Sequence, residues 1–167
     1  MTRSDTPTTW DERATLLTML DYTRQTAREK CEAISAELVA ATPLATSPLM
    51  SIGGLVNHMR WVEYSWIEQR FAGGPDIAPW TEEEPDREFS VGAQVPIAQT
   101  LREYDEQIAR TDAIIAGHQL DERSPTPLRN GDHPTLRWVV LHLIEENARH
   151  NGHLDILREM LDGSTGD

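Results

Sequence analysis

Near the C-terminal end of the chain, His142, Glu146, His150 and His153 follow one another at spacings of four, four and three residues. On an α-helix, at about 100° per residue, those spacings keep all four within roughly 80° of one another, on one stripe. Imidazole nitrogens and a carboxylate oxygen are the donors that divalent transition ions take, and Glu and His at i and i+4 point their donors the same way. The stripe overlaps Val139, Leu143, Leu157 and Leu161, so it carries polar groups to the rim of an apolar interior. Burying a carboxylate without a partner is costly, and a cation beside Glu146 would offset that cost. A third donor is available from either of two places. His58 sits on the edge of the apolar stripe of Ile52, Leu55, Met59, Val62 and Trp66, and His142 lies one turn before Glu146. Spacing alone leaves both open, beside the plainer reading in which each histidine is a hydrogen-bonded core residue.

Other reactive residue types fit less specific roles. His118 and His133 fall at a helix end and in a loop, where solvation accounts for them. Trp61, Tyr64, Trp66 and Trp138 read as core or groove lining, an aromatic wall that would suit an apolar electrophile. The acidic run Glu82, Glu83 and Glu84 reads as solvated surface. Cys31 is the single cysteine, so it forms no internal disulfide, and its apolar position in a helical pattern predicts a packed, inert thiol.

Four periodic segments must position these groups. The first helix is expected over 11–34, with Leu16, Leu20, Thr23, Ala27, Cys31 and Ile34 as its stripe, and Ser35 capping a short continuation over 36–41. Ser51 is the N-cap of a second helix over 52–71, stopped by Gly73, Gly74 and Pro75. Residues 76–95 are polar and broken by Pro79 and Pro85, which predicts a long crossover pinned by Trp80 and Phe89. A third helix over 96–117 starts at Pro96, and the fourth and longest runs from Pro134 or Thr135 to Leu161. Four amphipathic helices with one long crossover predict an all-α fold, a four-helix bundle.

At 167 residues the chain fits one domain over 1–167, with 1–10 and 163–167 as flexible ends. The formal charge of −13 argues against nucleic acid and anionic membrane surfaces as partners. No bilayer-spanning stretch and no signal pattern are present in the sequence, so a cytoplasmic protein is expected. Arginine supplies every cation except Lys30, the usage of a GC-rich bacterial genome.

The string Glu146-Asn147-Ala148-Arg149-His150-Asn151-Gly152-His153-Leu154-Asp155, together with Leu55-Val56-Asn57-His58-Met59, resembles the DinB-like (YfiT-like) metalloprotein superfamily over nearly the whole chain. Many members carry one histidine on the second helix and a His-x-x-x-His pair on the fourth. The resemblance therefore selects His58, with the first position of the pair on Glu146 and the second on His150. Glu146 departs from the all-histidine triad and matches the His, Glu, His set of the mycothiol-dependent maleylpyruvate isomerase branch. The resemblance implies a divalent ion, with zinc first and nickel, manganese or iron as alternatives. It also implies a thiol S-transferase, in which mycothiol or another low-molecular-weight thiol is ionised and attacks a small electrophile. His153, where relatives often have glutamine, would face the substrate or move a proton, and His142 is a reserve ligand. A metal-dependent hydrolase and a non-catalytic metal-binding stress or interaction module are the alternatives. Relatives that make ergothioneine or isomerise maleylpyruvate carry a further domain for which this chain has no room, so those activities are not expected. A homodimer through helix faces is compatible with the superfamily.

Overall fold

A computed structural model gives the structure, and residues 3–166 are described. The described residues contain no strand, only an isolated antiparallel bridge between Arg123 and Thr135, so the all-helical expectation holds. Six α-helices follow in order: α1 Glu12–Glu29, α2 Ala36–Ala40, α3 Ile52–Glu63, α4 Arg87–Gly92, α5 Ile97–Ala116 and α6 Leu136–Asp162. A π-helical segment, Tyr64–Phe71, continues α3. Helix α1 packs on α6, and α3 packs on α5 and α6, so the four long elements of the sequence pattern do lie against one another. No helix among the described residues is long and apolar enough to cross a membrane.

The ends of the long helices follow the capping chemistry of the sequence, whereas Ser35, expected to cap the short continuation, stands at the N-cap position of α2 without a side-chain bond to it. Asp11 accepts from Ala14 N–H at 2.9 Å, Ser51 from Gly54 N–H at 3.1 Å and Thr135 from Trp138 N–H at 3.3 Å. Gly163, at φ 77°, closes α6 in the left-handed conformation that glycine adopts without penalty. Three expectations are corrected. Helix α1 stops at Glu29 instead of residue 34, because the chain turns through 30–33 and Ala33 takes a left-handed φ of 55°. Residues 64–71 wind more widely than an α-helix: Ala72 N–H bonds the Ile67 carbonyl, five residues back, at 2.8 Å. That winding turns Ile67 and Phe71 into the core and leaves Trp66 half-buried. The crossover is also not irregular throughout, since it contains α4, packed on α3.

Two apolar clusters make up the interior. One gathers Ala27, Cys31, Leu55, Met59, Tyr104, Leu154 and Leu157, and the other Leu20, Ile67, Phe71, Ile115, Leu136, Val139 and Leu143. A polar network is buried with them. Arg24 donates from Nε and Nη2 to the two carboxylate oxygens of Glu63, both at 2.7 Å, and from Nη1 to Asp112 at 2.8 Å. Tyr104 Oη stands 3.5 Å from Glu63 and 3.4 Å from Asn147. Burial opposes the charge on Arg24, but the carboxylates of Glu63 and Asp112 outweigh it and hold the guanidinium above its ordinary value.

Cys31 is buried in the turn after α1, as its apolar phase predicts. Burial pushes its thiol up to about 12, against the pull of Arg158 and Arg28. Native protein at pH 8 is expected to resist iodoacetamide, while protein in denaturant reacts within minutes. Rapid labelling of the native thiol, read by intact mass, would contradict this.

Candidate metal centre

Three elements build the site. Helix α3 carries His58, α6 carries Glu146 and His150, and α4 lies over His58. The structure brings His58, Glu146 and His150 together, with one donor atom from each lying within 4.8 Å of the others. His150 Nε2 stands 3.3 Å from Glu146 Oε2, and the rings of His58 and His150 meet edge to face with centroids 4.8 Å apart. Ions held tetrahedrally by bonds of about 2.0–2.1 Å keep their donors roughly 3.3 Å apart, so the Glu146–His150 pair already has that spacing. Two imidazoles and a carboxylate on the rim of the interior are a donor set that fits a divalent ion and leaves positions open for another ligand.

Electrostatics agree with that fit. Burial, reinforced by His58, His153 and Arg149, pushes His150 down to about 3, so its ring is neutral and has a lone pair to give at neutral pH. Arg149 reaches both Glu145 and Glu146, standing 3.4 Å from Glu146 Oε1.

His153 stands outside the three-residue cluster. Its Nδ1 lies 3.3 Å from His150 Nδ1, and both rings line a cavity of about 290 Å³ whose other walls include Leu49, Met50, Leu55 and Phe89. His142 belongs to a second, more exposed group with Glu145 and Glu146, its Nε2 3.6 Å from Glu146 Oε1. Its ring is stacked on Trp138 and meets Trp66 edge-on, and burial lowers its basicity. Trp66 and Trp138 thus surround His142, whereas Trp61 packs with Tyr64 and Trp80, and the aromatic side chain that lines the cavity at His150 and His153 is Phe89 instead of the expected tryptophans. Of the two histidines expected to be solvated, His133 is exposed, but His118 is half-buried against Phe71, with Nδ1 2.8 Å from the Ile114 carbonyl. Glu82, Glu83 and Glu84 are exposed, as read.

Sequence reasoning missed Glu88 and Phe89 as neighbours of the site. Glu88 is buried with Oε1 3.2 Å from His58 Nδ1, and Phe89 stacks on the His58 ring with centroids 4.5 Å apart. The only signal lay in Gly53 and Gly54. A Cβ on Gly53 would come within 2.5 Å of the Gly92 carbonyl oxygen, and one on Gly54 within 2.9 Å of that of Phe89. The two glycines let the backbone of α4 lie directly on α3.

Comparison with known proteins comes to the same region of fold space. A family model described as Mycothiol-S-transferase matches residues 15–163. Among solved structures, the chain resembles a crystal structure of the mycothiol-dependent maleylpyruvate isomerase at 12% identity and a TM-score of 0.62, and a mutant of that enzyme at 10% and 0.63. Each alignment covers 83% of this chain and 59% of the other, so the chain spans a little over half of those proteins. No curated protein matches the sequence.

Proposed function

The chain belongs to the mycothiol-S-transferase family, and from that premise we propose that it is a metal-dependent transferase joining a low-molecular-weight thiol, mycothiol first, to a small electrophile. The observation that carries the reading is the meeting of His58, Glu146 and His150 from two helices within 4.8 Å, beside an apolar cavity. In this reading those three residues hold the ion. A bound divalent ion supplies Lewis acidity that ionises a thiol at neutral pH.

The remaining roles belong to the protein. With its Nε2 lone pair committed, neutral His150 carries its proton on Nδ1 and donates it to His153 Nδ1. His153 is thereby fixed with its own proton on Nε2, in a ring that lines the cavity, where it can hydrogen-bond a thiol or an electrophile. Leu49, Met50, Leu55 and Phe89 exclude water there and favour an electrophile with an apolar body. The whole described fold acts as one metal-binding domain in this reading, and the protein works in the cytoplasm where such thiols are kept reduced.

The test is chemical. Zinc-loaded protein incubated with mycothiol and an apolar electrophile such as a chloronitrobenzene is expected to give the thioether, seen by mass spectrometry, at least tenfold faster than thiol and electrophile alone. A rate equal to the uncatalysed one with mycothiol, glutathione and cysteine would refute the transferase reading.

A further inference from the structure

We infer that Glu88, on the short helix of the crossover, is a positioning residue that fixes the tautomer and orientation of His58 for metal binding. The inference rests on the metal-centre reading given above and extends it to a residue outside the three-residue cluster.

Glu88 is 5% exposed, and among the described residues its side chain has a single partner: Oε1 lies 3.2 Å from His58 Nδ1, while Oε2 is buried with no hydrogen-bond donor. A buried carboxylate with one oxygen unmatched is costly unless positive charge stands near it. His58 is the group in place to deliver that charge. A carboxylate can only accept from the ring, so the contact selects the tautomer with hydrogen on Nδ1 and leaves the Nε2 lone pair free. A cation taken at Nε2 polarises the ring, strengthens the Nδ1–H to Glu88 bond and compensates the buried carboxylate through the imidazole. Glu88 thus presents the nitrogen that the ion needs, and the ion supplies the charge that Glu88 lacks.

The mounting is rigid on both sides. Asn57 Nδ2, one residue before His58, donates to the Glu88 backbone carbonyl at 2.7 Å. The Phe89 ring lies nearly parallel to the imidazole, 18° off, and prevents it from turning over. The backbone contacts of Gly53 and Gly54 with α4 set the height of Glu88 above α3. An arrangement made only to hold the crossover would need the Asn57 bond and the Phe89 stack, not a buried carboxylate with an unmatched oxygen.

The experiment measures zinc affinity by chelator competition, and the visible absorption of the cobalt-substituted protein, for wild type, Glu88→Gln, Glu88→Ala and the exposed control Glu84→Gln. Glu88→Ala is expected to weaken zinc binding about 10- to 100-fold. Glu88→Gln, which still accepts from Nδ1–H but without charge, should fall between it and wild type, with a shifted cobalt spectrum and a melting temperature of the metal-free protein no lower than that of wild type. Glu84→Gln should match wild type. If Glu88→Gln and any folded Glu88→Ala both bind zinc within threefold of wild type, the inference fails while the metal centre stands. An equal loss in Glu84→Gln would show a general charge effect and also overturn it. If wild-type protein takes up no zinc or cobalt, the metal-centre reading fails and this inference falls with it.

Discussion

Protein purified without chelators is expected to carry close to one divalent ion per chain, and His150→Ala to carry none. The expectation follows from donor geometry: His150 lies 3.3 Å from Glu146, its ring is held neutral, and His58 faces it from another helix. In the proposed centre the three donors come from α3 and α6, so binding would tie two elements together and raise stability. At free metal about 100 times Kd the gain is about 2.7 kcal/mol. For a chain of this length that moves Tm by roughly 5–10 °C. Glu146→Gln should lose most of the shift, since it removes the only charge in the donor set. His118→Ala should keep the shift, because that ring lies on Phe71, away from the cluster. Elemental analysis and thermal melts with zinc, nickel and manganese decide the matter. No ion and no shift with any of the three would show that the cluster is a hydrogen-bonded network and nothing more.

Arg24→Met is expected to destabilise the fold by about 3–5 kcal/mol, the cost of leaving a buried carboxylate without its partner. Glu63 is fully buried and takes both of its strong bonds from Arg24, and its remaining neighbour, the Tyr104 hydroxyl at 3.5 Å, is too distant to replace them. Burial and Glu63 together already hold the Tyr104 phenol well above its ordinary value, so this hydroxyl stays a neutral donor. The double variant Arg24→Met with Glu63→Met removes both charges and restores apolar packing. It should recover most of the loss, within about 1–2 kcal/mol of wild type. Urea denaturation of the four proteins in the cycle gives the coupling directly. A single-variant loss below about 1 kcal/mol would mean that water reaches Glu63 in solution and that the pair is not a buried one.

The sequence pattern and the structure agree best where a group's place depends on one helix alone. Glu146 and His150 share a face because they stand four residues apart, and the caps at Asp11, Ser51 and Thr135 need only their own turn. The Arg24–Glu63 pair was within reach of the same reasoning. Arg24 follows Leu20 by four residues and Glu63 follows Met59 by four, so opposite charges stood at core phase on two helices. Glu88 was beyond it. Its meeting with His58 spans 30 residues and depends on how a proline-broken crossover settles on two glycines, which no local period encodes. The wide turn after Glu63 was hidden for a related reason: tertiary packing selects it, and the residues it turns inward, Ile67 and Phe71, fit an α-helical stripe poorly.

That wide turn also separates two kinds of evolutionary change. Deleting one residue within 64–71 would let the segment return to α-helical bonding with the chain beyond it left in register, while His58 and Glu63, on the preceding α-helical turns, keep their places. The residue presented to the His142 and Trp138 rings, now Trp66, would be exchanged for a neighbour in a single step. The aromatic surroundings of His142 are therefore open to change by insertion and deletion as well as by substitution, while the cluster of His58, Glu146 and His150 keeps its geometry.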